Sequence, residues 1–225
     1  MPRQARHAPG GIIYYVLNRA AGRRELFGKR GDYAAFIRLF HDAVEDSGMR
    51  VCGFCLMPNH WHLLLWPRVD GELARFMQKL TITHVRRWVE HRHRVGYGSV
   101  YQGRYKSFPV QDDAHFSTVA RYVERNPVRA HLAPRAQQWP WSSAGQQAAE
   151  DCPLIPIAAW PTPRREDWIE WVNQPQTPAE EAALRYCLQK GRPYGSELWT
   201  GKTEARLSMP PPGRLGRPRK GHGKA

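Results

Sequence analysis

Two strongly apolar runs separated by Pro58-Asn59 constrain the fold of this 225-residue chain more than any other feature. Residues 50–57 (Arg-Val-Cys-Gly-Phe-Cys-Leu-Met) and 60–66 (His-Trp-His-Leu-Leu-Leu-Trp) are short, rich in strand formers and joined by turn residues, the pattern of a buried hairpin. Side chains alternate across a strand, so His60 and His62 share one face and Trp61 takes the other. The same alternation sends the thiols of Cys52 and Cys55, three apart, to opposite faces. That argues against a metal-binding Cys pair and for two small buried residues.

The hairpin sits inside an ordered series of periodic segments. Residues 11–16 read as an earlier strand. From Asp32, the apolar positions Phe36, Leu39, Phe40 and Val44 recur at helical spacing, and Gly48 stands where a glycine ends a helix. A long helix over 72–94 carries Leu73, Phe76, Met77, Leu80, His84 and Trp88 on one face and basic residues on the other. After Gly96, Gly98 and Gly103 come a short strand at 105–110 and a helix capped by Asp112 or Asp113, which ends at Asn126 before Pro127.

The order β-α-β-β-α-β plus a further helix predicts an α+β, ferredoxin-like split βαβ fold, four antiparallel strands with two helices on one face. This core is expected over 1–132. Residues 133–201, where Pro and Trp become frequent, read as a carboxyl-terminal extension packed on the core, with one more helix over 178–189. Residues 202–225 set Lys202, Arg206, Arg214, Arg217, Arg219, Lys220 and Lys224 against Glu204 and read as a basic disordered tail.

Charge narrows the partner. The chain has 34 Lys and Arg against 20 Asp and Glu, a formal charge of +14, which favours a polyanion and nucleic acid first. No apolar run approaches the ~18 residues of a membrane span, and the first residues lack the apolar stretch of a secretory signal. A cytoplasmic chain with reduced cysteines and no membrane partner is the expectation. Arg86 and Arg87 on the long helix, Arg104 and Lys106 before the last strand, and Arg121 and Arg125 on the last helix are candidate phosphate contacts, with Tyr101 and Tyr105 as stacking platforms. Arg92, Arg94, Arg129 and Tyr97 extend the same pattern. Taken singly, each arginine is equally a solvated charge.

The chemistry-bearing residues fall in two places. Two imidazoles on one strand face form a chelating pair, which with one oxygen donor suits Mg²⁺ or Mn²⁺; a pair of packed histidines fits the same residues. On the last helix, Tyr122 and Asn126 lie one turn apart on a flank of the apolar stripe Phe116, Val119, Ala120, Val123. A tyrosine can attack a phosphodiester and keep its bond energy in a phosphotyrosine, but a phenol with a pKa near ~10 needs a polarised phosphate. Asn126 is the candidate third ligand, and His115 on the same flank a reserve ligand or proton carrier. A tyrosine beside the core and an asparagine ending a helix account for the same two positions.

Taken together the residues resemble the REP-associated tyrosine transposases, single-tyrosine members of the HUH endonuclease group within the insertion-sequence-200-like family. The resemblance rests on Met57-Pro-Asn-His-Trp-His-Leu-Leu, Tyr101-Gln-Gly-Arg-Tyr-Lys-Ser, Arg121-Tyr-Val-Glu-Arg-Asn-Pro-Val-Arg-Ala, Trp139-Pro-Trp-Ser-Ser, Gly191-Arg-Pro-Tyr-Gly and Gly216-Arg-Pro-Arg-Lys, in order along nearly the whole chain. It implies an HUH core in which His60 and His62 bind the metal, Asn126 falls where a polar third ligand stands, and Tyr122 is the nucleophile that forms a 5′-phosphotyrosine. It also implies single-stranded or hairpin DNA of REP type as substrate. Related transposases outside this branch are dimers; the long extension here favours a monomer. One departure is His131, where family members commonly carry glycine after Asn-Pro-Val-Arg-Ala, which puts only the local turn in doubt. Two readings compete: a ferredoxin-like nucleic-acid-binding protein that breaks no bond, and a metal-dependent hydrolase that uses water.

Overall fold

The computed structural model describes residues 8–150 and 152–211. Strand β1 (Ile13–Arg19), helix α1 (Arg30–Ser47), the hairpin strands β2 (Arg50–Met57) and β3 (His60–Trp66), helix α2 (Glu72–His91), strand β4 (Lys106–Val110) and helix α3 (Ala114–Arg129) follow in that order. The four strands form one antiparallel sheet in the order β2-β3-β1-β4. This is the split βαβ arrangement that the periodicities predict.

Two separate cores explain why β1 and β3 are apolar along almost their whole length. Tyr14, Val16, Trp61, Leu63 and Leu65 pack under α1 and α2, whereas Tyr15, Leu17, Leu64 and Phe108 pack under α3. A sheet covered on both faces has no solvent side to fill with polar residues. Gly48 ends α1 in the left-handed conformation at φ 64°. The Pro58-Asn59 turn is anchored from outside: Pro58 O accepts from the amides of Leu26 and Phe27, and Asn59 O from that of Ala20.

Four differences from the sequence reading have physical causes. β1 runs on to Arg19 instead of stopping near 16, because Asn18 and Arg19 continue the ladder opposite Trp61 and His60. The β2–β3 register shifts between Val51 and Gly53, a bulge that inserts one residue and changes the face parity. Cys52 and Cys55 therefore point to the same core, under α3, rather than to opposite faces. Both thiols are buried, and burial pushes that of Cys52 up to about 12. Helix α3 passes through Pro127 and ends at Arg129. The carbonyl of Val123, which Pro127 cannot serve, accepts instead from the Asn126 side-chain amide at 3.2 Å.

The fourth difference lies in the extension, which carries α4 (Trp168–Asn173), α5 (Pro178–Lys190) and α6 (Glu197–Arg206). Lys202 and Arg206 belong to α6, and Glu204 pairs with Arg192 at 3.1 Å, so the expected disordered tail does not begin at 202. Residues 212–225 lie outside the described residues. The extension covers both sheet edges, which removes unpaired strand groups. Leu56 N donates to Trp141 O and Ser143 N to Phe54 O along β2, while Tyr194 N donates to Pro109 O along β4. The buried carboxylate of Glu124 on α3 accepts from Ser143 Oγ and Trp168 Nε1, each at 2.7 Å, and ties the extension to the α3 side of the core.

Candidate active site

The site is built on the α3 face at the end of β3 that follows the hairpin turn. Cys55, His62, Leu17 and Lys106 stand in one row across β2, β3, β1 and β4, and Arg19 stands beside His60. The His60 and His62 rings are 4.8 Å apart between centroids, while Trp61 turns to the other face and donates its indole N–H to the Tyr101 hydroxyl at 2.9 Å.

Each imidazole is oriented through Nδ1. His60 Nδ1 donates to Asn59 Oδ1 at 2.6 Å, because a carboxamide oxygen only accepts; its neutral ring then leaves the Nε2 lone pair open. His62 Nδ1 lies 2.5 Å from the hydroxyl of Tyr15, and His62 Nε2 is buried with no hydrogen-bond partner. Burial, with Arg19 and Arg129 nearby, brings the His60 pKa down to about 3; burial, His60 and the same arginines drive that of His62 far down as well. Both rings are therefore neutral at physiological pH, the form that binds metals.

Helix α3 lays Tyr122, Asn126 and Arg129 against this pair. The Tyr122 ring meets His62 edge-on at 6.3 Å and Tyr15 at 6.3 Å, and the Arg129 guanidinium lies 4.4 Å over it. Asn126 Nδ2 donates to Tyr122 O at 2.8 Å, and Asn126 Oδ1 accepts from Arg129 at 2.6 Å. The amide oxygen expected to serve as third ligand is thus turned to Arg129. Arg129 Nη1 is itself buried with no hydrogen bond, its nearest carboxylate being Glu181 at 3.9 Å.

Two neutral imidazoles with a buried, unpartnered Nε2 fit a divalent ion. Among the described residues no group of three His, Cys, Asp or Glu could hold a metal, which leaves a neutral oxygen such as that of Asn126 as the candidate third donor.

The family of IS200-like transposases matches residues 11–126, just over half of the chain. The chain belongs to that family. The matched region ends at Asn126, so His60, His62, Tyr122 and Asn126 of this IS200-like transposase all fall within it and Arg129 falls just beyond. Among solved structures the fold is similar to that of a REP-associated tyrosine transposase bound to a REP hairpin, at 16% identity and a TM-score of 0.51, over 72% of this chain and 94% of that one. No protein of curated function matches the chain.

The expected DNA contacts of the transposase divide. Lys106 is exposed in the His62 row on the site face, and Arg86, Arg87 and Arg104 are exposed on α2 and the loop before β4. Arg125 is half-buried, with Glu181 and Arg129 as neighbouring charges. Two expectations do not hold. Arg121 is buried: it donates to the carbonyls of Trp171, Gln174 and Pro175 and stacks on Trp171, carbonyls that lie in the last turn of α4 and just after it, where the helix leaves acceptors without intrahelical donors of the regular kind. Tyr101 is buried under α2, its hydroxyl shared by Trp61 and His84, so it offers no stacking face, whereas Tyr105 is half-buried. His115 pairs with Asp113 at 2.8 Å at the start of α3, about 10 Å along the helix from Tyr122. The sequence reading missed Tyr15 and Arg19 and placed Arg129 only among the groove charges. Strand register would have been needed for the first two, and helix continuation past Pro127 for the third.

No helix among the described residues is long and apolar enough to cross a membrane.

Proposed function

We propose that the chain is a metal-dependent single-strand DNA endonuclease and strand transferase of the HUH type, acting on hairpin DNA of REP type through Tyr122. The observation that carries this reading is the buried, unpartnered Nε2 of His62, next to His60 and against the Tyr122 ring. A buried nitrogen without a partner costs about 1–3 kcal/mol unless something binds it. A divalent ion, Mg²⁺ or Mn²⁺, would be held by Nε2 of His60 and His62, with Asn126 Oδ1, once shared with or released from Arg129, as the third donor, and would polarise the scissile phosphate.

The chain's own groups do the rest. With its Nε2 lone pair left for the ion, His62 carries its proton on Nδ1 and donates it to Tyr15 Oη, which fixes the ring. Burial holds the Tyr15 phenol well above its ordinary pKa, so it stays protonated and does not compete as nucleophile. Tyr122 Oη attacks phosphorus as the bond from phosphorus to the 3′ oxygen breaks. The phenol proton leaves to solvent, the departing 3′ oxygen takes up a proton, and a 5′-phosphotyrosine remains. Attack by a 3′-OH on that link reverses the exchange and restores both a phosphodiester and the phenol, so no nucleotide cofactor is consumed. Arg129, with a free buried N–H beside the phenol ring, supplies positive charge for the phosphate.

The hairpin-bound transposase of similar fold and the +14 charge support the substrate class. Incubating the chain with hairpin DNA carrying single-stranded flanks, in Mg²⁺ or Mn²⁺, should trap protein on DNA in a denaturing gel. Tyr122→Phe should lower the adduct by at least about a thousandfold. Cleavage without adduct would favour water as nucleophile, and an adduct that persists in the variant would remove Tyr122 from the role.

A further inference from the structure

One buried amide oxygen stands between two cations. Asn126 is 2% exposed, and its Oδ1, the candidate third donor for a divalent ion, accepts from Arg129 at 2.6 Å. The two side chains are not held alike. Asn126 Nδ2 donates to Tyr122 O at 2.8 Å and to Val123 O at 3.2 Å, so the amide is pinned to its own helix and cannot flip without turning its oxygen onto two carbonyls. Apart from Asn126 Oδ1, the Arg129 guanidinium has the Tyr122 ring at 4.4 Å and Glu181 at 3.9 Å, too far for a hydrogen bond, and its Nη1 is buried with no hydrogen bond. Glu181 is itself engaged by Arg185 at 2.5 Å.

We propose that Arg129 is a displaceable occupant of the third metal position: it holds Asn126 Oδ1 in the absence of metal, yields that oxygen when a divalent ion binds His60 and His62, and carries its freed N–H groups to the phosphate at Tyr122. The proposal rests on the reading of the chain as a metal-dependent strand transferase and adds an order of events to it. An amide oxygen has two lone pairs, but one oxygen serving both partners would keep a guanidinium and a divalent cation a few ångströms apart in a buried site, where like charges repel strongly. Because Asn126 is the pinned partner, Arg129 is the one that moves. Its guanidinium already lies over the ring of the nucleophile, so a phosphate at Tyr122 Oη comes within its reach and offers two oxygens to its two Nη groups.

Coupling follows in both directions. Release of Arg129 strengthens the grip on phosphate, and phosphate that draws Arg129 away leaves Oδ1 open and strengthens the grip on the ion by the same factor. Plain repulsion makes a different pattern. The Arg129 charge lies near both imidazoles and opposes any cation there, whether or not residue 126 has an oxygen to give. Only competition for Oδ1 depends on Asn126.

The test is a double-mutant cycle on the full chain, read as Mn²⁺ affinity by isothermal titration without DNA. Arg129→Met, which keeps the apolar stem and removes every donor, should bind Mn²⁺ at least about tenfold more tightly than wild type, because no charge-assisted hydrogen bond has to be broken first. In an Asn126→Ala background the same change should alter the affinity by less than about threefold. Where Asn126→Ala melts below the assay temperature, Asn126→Ser takes its place, its hydroxyl able to bond the carbonyl of Tyr122 one turn back. With hairpin DNA and saturating Mn²⁺, Arg129→Met should form the covalent adduct at least about tenfold more slowly than wild type in spite of its tighter metal. An Arg129→Met that binds Mn²⁺ no more tightly than wild type overturns the proposal. So does equal tightening with and without the Asn126 oxygen, which is repulsion alone, and so does an adduct formed at the wild-type rate. A wild type that shows the Mn²⁺ cycle but traps no DNA sinks the strand-transferase reading and leaves the exchange at Oδ1 standing; one that traps DNA but lacks the cycle does the reverse.

Discussion

The two faces of one sheet are built to different rules. Under α1 and α2 the core is aromatic and aliphatic, with Phe36, Phe40, Phe54, Trp61 and Phe76 in mutual ring contact. Under α3 the sheet meets Tyr15, His62, Asn126 and Glu124, polar groups that are all buried. Burying polar groups stabilises little, so apolar burial on both faces supplies the folding energy, and the second face also holds the chemistry. Neighbouring residues of β3 belong to opposite sides of this division.

The sharpest way to break the comparison is therefore to truncate Trp61 and His62 separately. Trp61→Ala empties a fully buried site and should cost about 3–5 kcal/mol, a large part of the stability of a domain this size, read by denaturant unfolding. His62→Ala removes one hydrogen bond and some ring contact and should cost only about 1–2 kcal/mol. Mn²⁺ should separate them further. At a hundredfold excess over its Kd it should stabilise wild type by about 2.7 kcal/mol, and His62→Ala not at all. Equal costs for the two truncations, or full stabilisation by Mn²⁺ in His62→Ala, would erase the distinction between the faces.

Glu124 sharpens the same contrast through pH. Burial raises its pKa although Ser143 and Trp168 bond to it, so the folded state holds the proton more tightly than the unfolded chain does. Its stabilising contribution is complete below the ordinary carboxylate value near ~4.3 and is lost as pH rises through the raised folded value. Glu124→Gln keeps the shape and an acceptor for Trp168 without the buried charge. Its stability should fall less than that of wild type as pH rises from about 4, as thermal melts across that range would show. Parallel curves for the two proteins would mean that Glu124 does not titrate differently on folding.

How much of this was legible in the sequence follows from which physics each feature obeys. Helices α1 and α2 and the hairpin were legible because one period dominates each, and His60 and His62 shared a face by strand parity alone. Cys52 and Cys55 misled because a bulge adds a residue that no period records. Tyr15 was hidden because its link to His62 depends on the register between two strands 47 residues apart. Arg121 misled for another reason: a charge count cannot distinguish a guanidinium facing phosphate from one capping the carbonyls at the end of a helix. Arg129 came so close to Tyr122 only because Asn126 carries α3 through a proline.

The end of that helix gives the smallest and cleanest prediction. Past Ala130, which caps α3, His131 adopts φ 56°, its N–H donating to Val128 O, while Leu132 N reaches back to Pro127 O at 2.9 Å. This is the left-handed ending that glycine fits and a β-carbon strains, so the position where the resembling family carries glycine is one where glycine is the relaxed choice. His131→Gly should stabilise the fold by about 1 kcal/mol less the added flexibility of the unfolded chain, a rise of a few degrees in Tm for a chain of this length. His131 is exposed, so no packing is lost to offset the gain. Because the strain lies two residues beyond Arg129, relieving it should leave adduct formation unchanged. A stabilised variant that forms less adduct would show instead that the strained turn holds Arg129 over Tyr122.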